Sequence, residues 1–284
     1  MSSMPIQFSH IAKDHEYQRA PSGASRSPCP ALNTLANHGF IRRAGSDLKF
    51  FDLLRAIVLV YNLSYPLSFL LTAGAFITCG KVSFNNGGAW SVPPRSESQF
   101  QTPESITRKT IVVLVTIANT LMRIIPSVRL NLDALSARGH FKITHDASFV
   151  HPNVKPSTSP DPSLLKNLLD YALQCKDVDG NPKAGLGLAD LAMYHVMRCK
   201  ASASLDNLHS QISLGECSLT WEMLSSSNSE RRLDGVIPVS RLEQWFGEER
   251  LPDGWWDVNG VRPVRPVGVW RARRLANFID TLGK

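Results

Sequence analysis

Residues 27–39 read Ser27-Pro28-Cys29-Pro30-Ala31-Leu32-Asn33-Thr34-Leu35-Ala36-Asn37-His38-Gly39. A cysteine stands between two prolines, directly before a helix-forming run. Proline is favoured at the first helical position, so Pro30 predicts a helix start. Gly39 supplies an easy left-handed stop. A residue that precedes proline is pushed out of the α region. Cys29 is therefore expected at the N-cap, its sulfur facing the unpaired N–H groups of the first turn, around Ala31 and Leu32. Those donors and the helix dipole favour a negative sulfur. Such a cysteine suits a nucleophile or a metal ligand, and it equally suits a small hydrophobe beside a loop.

Outward from this stretch the chain reads as helices. One is expected from near Asp47 through Asn62, another from Pro66 to Cys79, and another from Pro103 to Met122. Shorter ones follow at 131–138, 163–174, 187–201, 206–224 and 238–249. Residues 81–102, with Asn85-Asn86-Gly87-Gly88 and Pro93-Pro94, read as a loop, and 151–162 as a proline-rich connector. No segment alternates with period two, and no internal repeat is visible. The fold class is all-α, with about eight to ten helices in a single domain over residues 25–284. Residues 1–24 read as an irregular arm, polar and rich in Ser and Pro.

Composition narrows the function classes. The chain has 284 residues, 43% hydrophobic and 19% charged, which excludes collagen, coiled coil and wholesale disorder. The net charge of +7 is modest and spread out, so no nucleic-acid partner is expected. The densest basic stretch, Arg262, Arg265, Arg271, Arg273 and Arg274, reads as a solvated face. Five cysteines (Cys29, Cys79, Cys175, Cys199 and Cys217) include no CxxC pair, which argues against structural zinc or a redox pair. The N-terminus shows no basic segment followed by an apolar one. An intracellular, cytoplasmic protein with free thiols is the expectation. Residues 56–80 carry no charge, but Pro66 and several polar residues break the run. Two consecutive buried helices are expected there in place of a membrane span.

The run from Pro28 to Gly39 closely resembles the proximal motif of the fungal heme-thiolate peroxidases, the chloroperoxidase and unspecific peroxygenase family. Asn131-Leu132-Asp133-Ala134-Leu135 through Thr144-His145-Asp146-Ala147-Ser148 is similar to that family's distal segment, Glu-His-Asp-Ala-Ser. A third likeness runs from His209-Ser210-Gln211-Ile212 through Gly215-Glu216 to Trp245-Phe246-Gly247-Glu248-Glu249-Arg250-Leu251-Pro252. The resemblance implies an all-helical, chloroperoxidase-like domain that holds one heme b. It implies Cys29 as the axial thiolate on heme iron, with Pro28, Ala31 and Leu32 beside the cofactor. A thiolate ligand favours O–O cleavage. The implied activity is peroxidation or peroxygenation, with hydrogen peroxide and a small hydrophobic organic molecule as partners, in secondary-metabolite biosynthesis.

His145 and Asp146 fall on the family's distal acid–base pattern. Two departures stand out. Thr144 replaces the pattern's glutamate, so a divalent cation at Thr144 and Ser148 loses its best ligand. The distal glutamate is expected near residues 194–203, where no carboxylate occurs and Lys200 lies closest. Glu216 is expected to be structural. Without a positioned carboxylate, the alternative is a heme-binding but catalytically degenerate protein. A further alternative pairs Cys29 with His38 as a nucleophile and base.

Overall fold

The computed structural model describes residues 6–83, 127–139, 141–153, 157–202, 204–226, 233–258 and 260–284. The chain forms two compact units, one of residues 1–80 with 130–284, the other of residues 81–129. The helix expected at 103–122 and most of the loop expected at 81–102 lie outside the described residues. In the second unit, β1 (Lys81–Ser83) pairs antiparallel with β2 (Ser127–Arg129). The sequence reading had no strand there. A three-residue pair is too short to show period-two alternation.

The larger unit is helical. The arm expected to be irregular instead carries α1 (Ile6–Asp14). The residues after it are tied down: His15 stacks on Phe40 at 3.9 Å, and Gln18 N–H donates to the Asn37 carbonyl at 2.9 Å. Next comes α2 (Pro30–Asn37), opened by Pro30 and followed by Gly39 at φ +72°. Then α3 (Phe50–Tyr61) starts three residues later than its expected beginning at Asp47. Asp47 sits at φ +54°, and Leu48 exchanges backbone hydrogen bonds with Leu130 at 2.9 and 3.1 Å. That pairing holds the chain extended until Lys49.

The uncharged stretch divides as its proline suggests. Asn62 closes α3 in the left-handed conformation, and its amide donates to the Pro263 carbonyl at 2.8 Å. Ser64 caps α4 (Tyr65–Cys79) by accepting from Leu67 N–H, with Pro66 in the first turn. The expectation of full burial fails for α4, because Tyr65, Phe69, Leu70 and Ile77 are exposed. No described helix is long and apolar enough to cross a membrane.

A 3₁₀ turn (Leu132–Ser136) leads to the segment that carries His145. After it come α5 (Pro162–Gln174), α6 (Leu188–Lys200) and α7 (Asn207–Leu224). A short α8 (Val239–Leu242) passes into a π turn at Glu243–Gly247. Between them, β3 (Gly185–Gly187) pairs antiparallel with β4 (Val236–Pro238). The pairing is so close that a Cβ on Gly185 would lie 2.2 Å from the Ile237 carbonyl oxygen. The last helix, α9 (Val269–Leu282), falls in the stretch that read as a solvated basic face. Its Ala272, Leu275, Ala276 and Ile279 are buried at helical spacing. Arg271 grips Glu222 of α7 through two bonds of 2.6 Å, and Glu222 is 3% exposed. Arg262 lies over the Trp256 ring at 5.8 Å and donates to the Leu59 carbonyl at 2.9 Å. Two of the five arginines are thus packing residues, and the Arg271–Glu222 pair ties α9 to the helix that carries the site.

Candidate active site

Pro30 forces Cys29 into an extended conformation (φ −102°, ψ 108°), outside the helix it introduces. The backbone N–H groups of Leu32 and Ala31, the two donors the sequence points to, act on its sulfur to lower the thiol pKa. No side-chain cap bond is made. Burial nevertheless outweighs those donors and pushes the Cys29 thiol up to about 12, with the charges of Glu216 and Glu249 adding to the rise. The helix mouth alone does not make this sulfur an anion. A bound metal cation displaces such a proton.

The rest of the motif holds Cys29 in place. Asn33 Nδ2 donates to the Ser27 carbonyl at 2.7 Å and to Glu249 Oε1 at 2.6 Å. Asn37 Nδ2 donates to the Glu249 carbonyl at 3.1 Å. Arg26 donates to Asn37 Oδ1 at 2.7 Å. His38 Nε2 accepts from Leu251 N–H at 3.1 Å, and His38 Nδ1 lies 2.8 Å from the His15 carbonyl oxygen. Both ring nitrogens of His38 are thereby engaged away from Cys29. The pairing of Cys29 with His38 has no geometric support.

The opposing side is built by α7 and the 141–151 segment. Asp206 caps α7, accepting from His209 N–H at 2.9 Å, and its other oxygen meets His209 Nδ1 at 2.9 Å. Residues 209, 213 and 216 share one face of the helix. His209 Nε2 lies 3.0 Å from the Lys142 carbonyl oxygen, which docks α7 onto the segment before His145. Glu216 Oε2 then stands 3.3 Å from His145 Nε2. The other ring nitrogen of His145 faces the Asp146 carbonyl oxygen. Both ring nitrogens therefore face acceptors, which requires a proton on each. Burial pulls the His145 pKa down, but Glu216 overrides it and the net shift is upward. His145 braces the Glu216 carboxylate.

Exposure separates the two partners. The His145 side chain is 4% exposed and that of Glu216 is 59% exposed. A ligand reaches Glu216, and His145 stands behind it. Glu216 is also near enough to Cys29 to raise its pKa. The sequence reading treated Glu216 as structural and sought the carboxylate at 194–203. Lys200 instead lies exposed in the last turn of α6. The available signal was the spacing of His209, Ser213 and Glu216, which puts three polar residues on one face of α7.

Asp146 occupies a different place from the one its motif suggests. Its carboxylate pairs with Arg138, and only its backbone carbonyl meets His145. The Thr144 hydroxyl donates to the Leu135 carbonyl. The Ser148 carbonyl accepts from Arg198 at 2.8 Å, and the Ser148 hydroxyl accepts from His151 N–H at 3.3 Å.

The donor set fits heme. The Cys29 sulfur makes no side-chain cap bond, the exposed Glu216 carboxylate acts on it electrostatically, and two buried nitrogens near Glu216, Arg138 Nε and His151 Nε2, have no partner. The chain belongs to the family described as Peroxidase, family 2, whose model matches residues 15–259. It is similar to a dothistromin biosynthesis peroxidase of Dothistroma septosporum, 30% identical over 112 residues, which are 34% of this chain and 26% of that protein. An aromatic peroxidase of Fusarium equiseti is 36% identical over 79 residues (28% of this chain, 18% of that protein). An aromatic peroxygenase of Coprinellus radians is 36% identical over 69 residues (24% and 26%). The chain thus matches about a quarter or less of the length of these relatives.

Proposed function

We propose that this chain is a heme-thiolate peroxidase or peroxygenase that uses hydrogen peroxide to oxidise or oxygenate a small hydrophobic organic molecule. In this reading Cys29 would hold the heme iron through its sulfur, with Pro28, Ala31 and Leu32 beside it. The observation that carries the reading is the His145–Glu216 pair, 3.3 Å apart and within electrostatic reach of Cys29. Heme, when bound, supplies the oxidising chemistry at the peroxide O–O bond.

The chain's own residues handle the proton. Glu216 accepts it from the incoming peroxide and returns it to the departing oxygen. His145 braces Glu216 and fixes its direction. Arg138 and Asp146 hold the segment from which His145 projects. Glu216 is the catalytic residue and His145 the positioning residue, which reverses the emphasis the motif suggests. The degenerate alternative rests on the missing carboxylate at 194–203, and Glu216 beside His145 supports the catalytic reading over it. The names of the relatives support an aromatic substrate and a biosynthetic setting.

Glu216→Gln tests this directly. The rate of peroxide consumption by hemin-loaded protein should fall by about a hundred- to ten-thousand-fold, with hemin retained. An unchanged rate would remove Glu216 from the mechanism.

A further inference from the structure

Among the described residues, Arg138 Nε and His151 Nε2 are buried nitrogens with no hydrogen-bond partner. The other nitrogens of the two side chains have partners. Arg138 Nη1 pairs with Asp146, and Arg138 Nη2 donates to the Pro152 carbonyl at 2.9 Å. His151 is 1% exposed, and its Nδ1 lies 3.0 Å from the Ser157 hydroxyl. Arg138 and Glu216 both act electrostatically on His151 and on His145, so all four groups belong to one cluster. An unsatisfied buried guanidinium N–H is rare in a native protein, and such a group signals a missing partner.

The chemistry of that partner follows from the donors. Arginine Nε–H only donates. Burial keeps His151 neutral, pushing it down to about 4. Where the Ser157 hydroxyl donates to Nδ1, the tautomer this site needs, the ring hydrogen sits on Nε2. Two donors then present themselves, one of them charged, which is the pattern a carboxylate accepts. Asp146 and Glu216 already have their own cationic partners in Arg138 and His145. No described carboxylate fills the role.

We propose that Arg138 and His151 form a carboxylate-binding site beside the His145–Glu216 pair, and that its ligand is a propionate of the heme. The assignment rests on the heme reading above. It makes the two residues a clamp for the edge of the cofactor, with Asp146 positioning the guanidinium.

The test compares hemin with hemin dimethyl ester, whose propionates cannot accept as carboxylates do. Each porphyrin is loaded into the protein, and its loss to excess apomyoglobin is followed by absorbance. The parent should lose the ester about ten- to a hundredfold faster than hemin. Arg138→Lys keeps a charge for Asp146 but lacks the Nε–H, and His151→Phe keeps the ring volume. Both variants should lose the two porphyrins at nearly equal rates, with unfolding midpoints that show an intact fold. A discrimination as large as the parent's in both variants overturns the assignment to propionate. A second arm adds benzoate to the hemin-loaded proteins. Benzoate binding that disappears in Arg138→Lys, with porphyrin discrimination unchanged, gives the site to a substrate carboxylate and overturns its assignment to heme. A parent that takes up no hemin overturns the heme reading and the clamp with it, an outcome distinct from unchanged discrimination.

Discussion

Glu249→Gln isolates one buried charge behind Cys29. Glu249 is 9% exposed and sits at φ +53°, just past the π turn. Its Oε1 accepts from Asn33, and Arg26 is its nearest named counter-charge, although that guanidinium is committed to Asn37. Burial lifts the Glu249 pKa from 4.5 to about 7, against the lowering effect of Asn33 and Arg26. Between those pH values the folded chain holds a proton that the unfolded chain has released. The stability this proton confers is complete below pH 4.5 and is lost as pH rises through about 7. The interval corresponds to about 3 kcal/mol. Glutamine keeps the acceptor for Asn33 and carries no titrating proton. The stability of Glu249→Gln relative to the parent should therefore increase by about 3 kcal/mol between about pH 4.5 and about pH 8. Urea unfolding of both proteins across this range measures the difference. A difference that stays flat with pH would refute the reasoning.

Two further substitutions probe the frame and the register. Arg271→Met leaves Glu222 buried without its partner and should cost about 3–5 kcal/mol in unfolding free energy, whereas adding Glu222→Leu should recover most of it. Equal losses in the single and double variants would show that the pair does not tie α9 to α7. Lys200→Glu should leave peroxide turnover unchanged, because that side chain is exposed at the end of α6. A gain in turnover would mean that the proton-handling group had been placed on the wrong helix.

The helices that carry strong punctuation were legible in the sequence. Pro30, Asn62, Ser64 and Asp161 each mark a terminus where local chemistry acts within a few residues. The helix α9 was not legible, because three arginines mask an apolar stripe that becomes visible only when Arg271 is seen to turn toward Glu222. The conformation of Cys29 and its two N–H donors followed from its prolines. The protonation of Cys29 did not, because burial depends on segments far away in the chain, and burial decides the sign.

Glu216 shows the same limit more sharply. Motif order suggested a carboxylate on α6, yet the carboxylate that meets His145 comes from α7. The docking of His209 on the Lys142 carbonyl, a contact between distant parts of the chain, sets α7 against the 141–151 segment. Asp146 sits on the motif, yet its carboxylate pairs with Arg138. Neither partner's reach could be read from spacing alone.

Ligation of heme by the Cys29 sulfur is the central claim, and the absorbance spectrum of the reduced, carbon monoxide-bound protein tests it most directly. After loading with hemin, the parent should show the red-shifted Soret band of thiolate ligation, and Cys29→Ala should lose it. A histidine-type band in the parent, or the same spectrum in both proteins, would contradict the account.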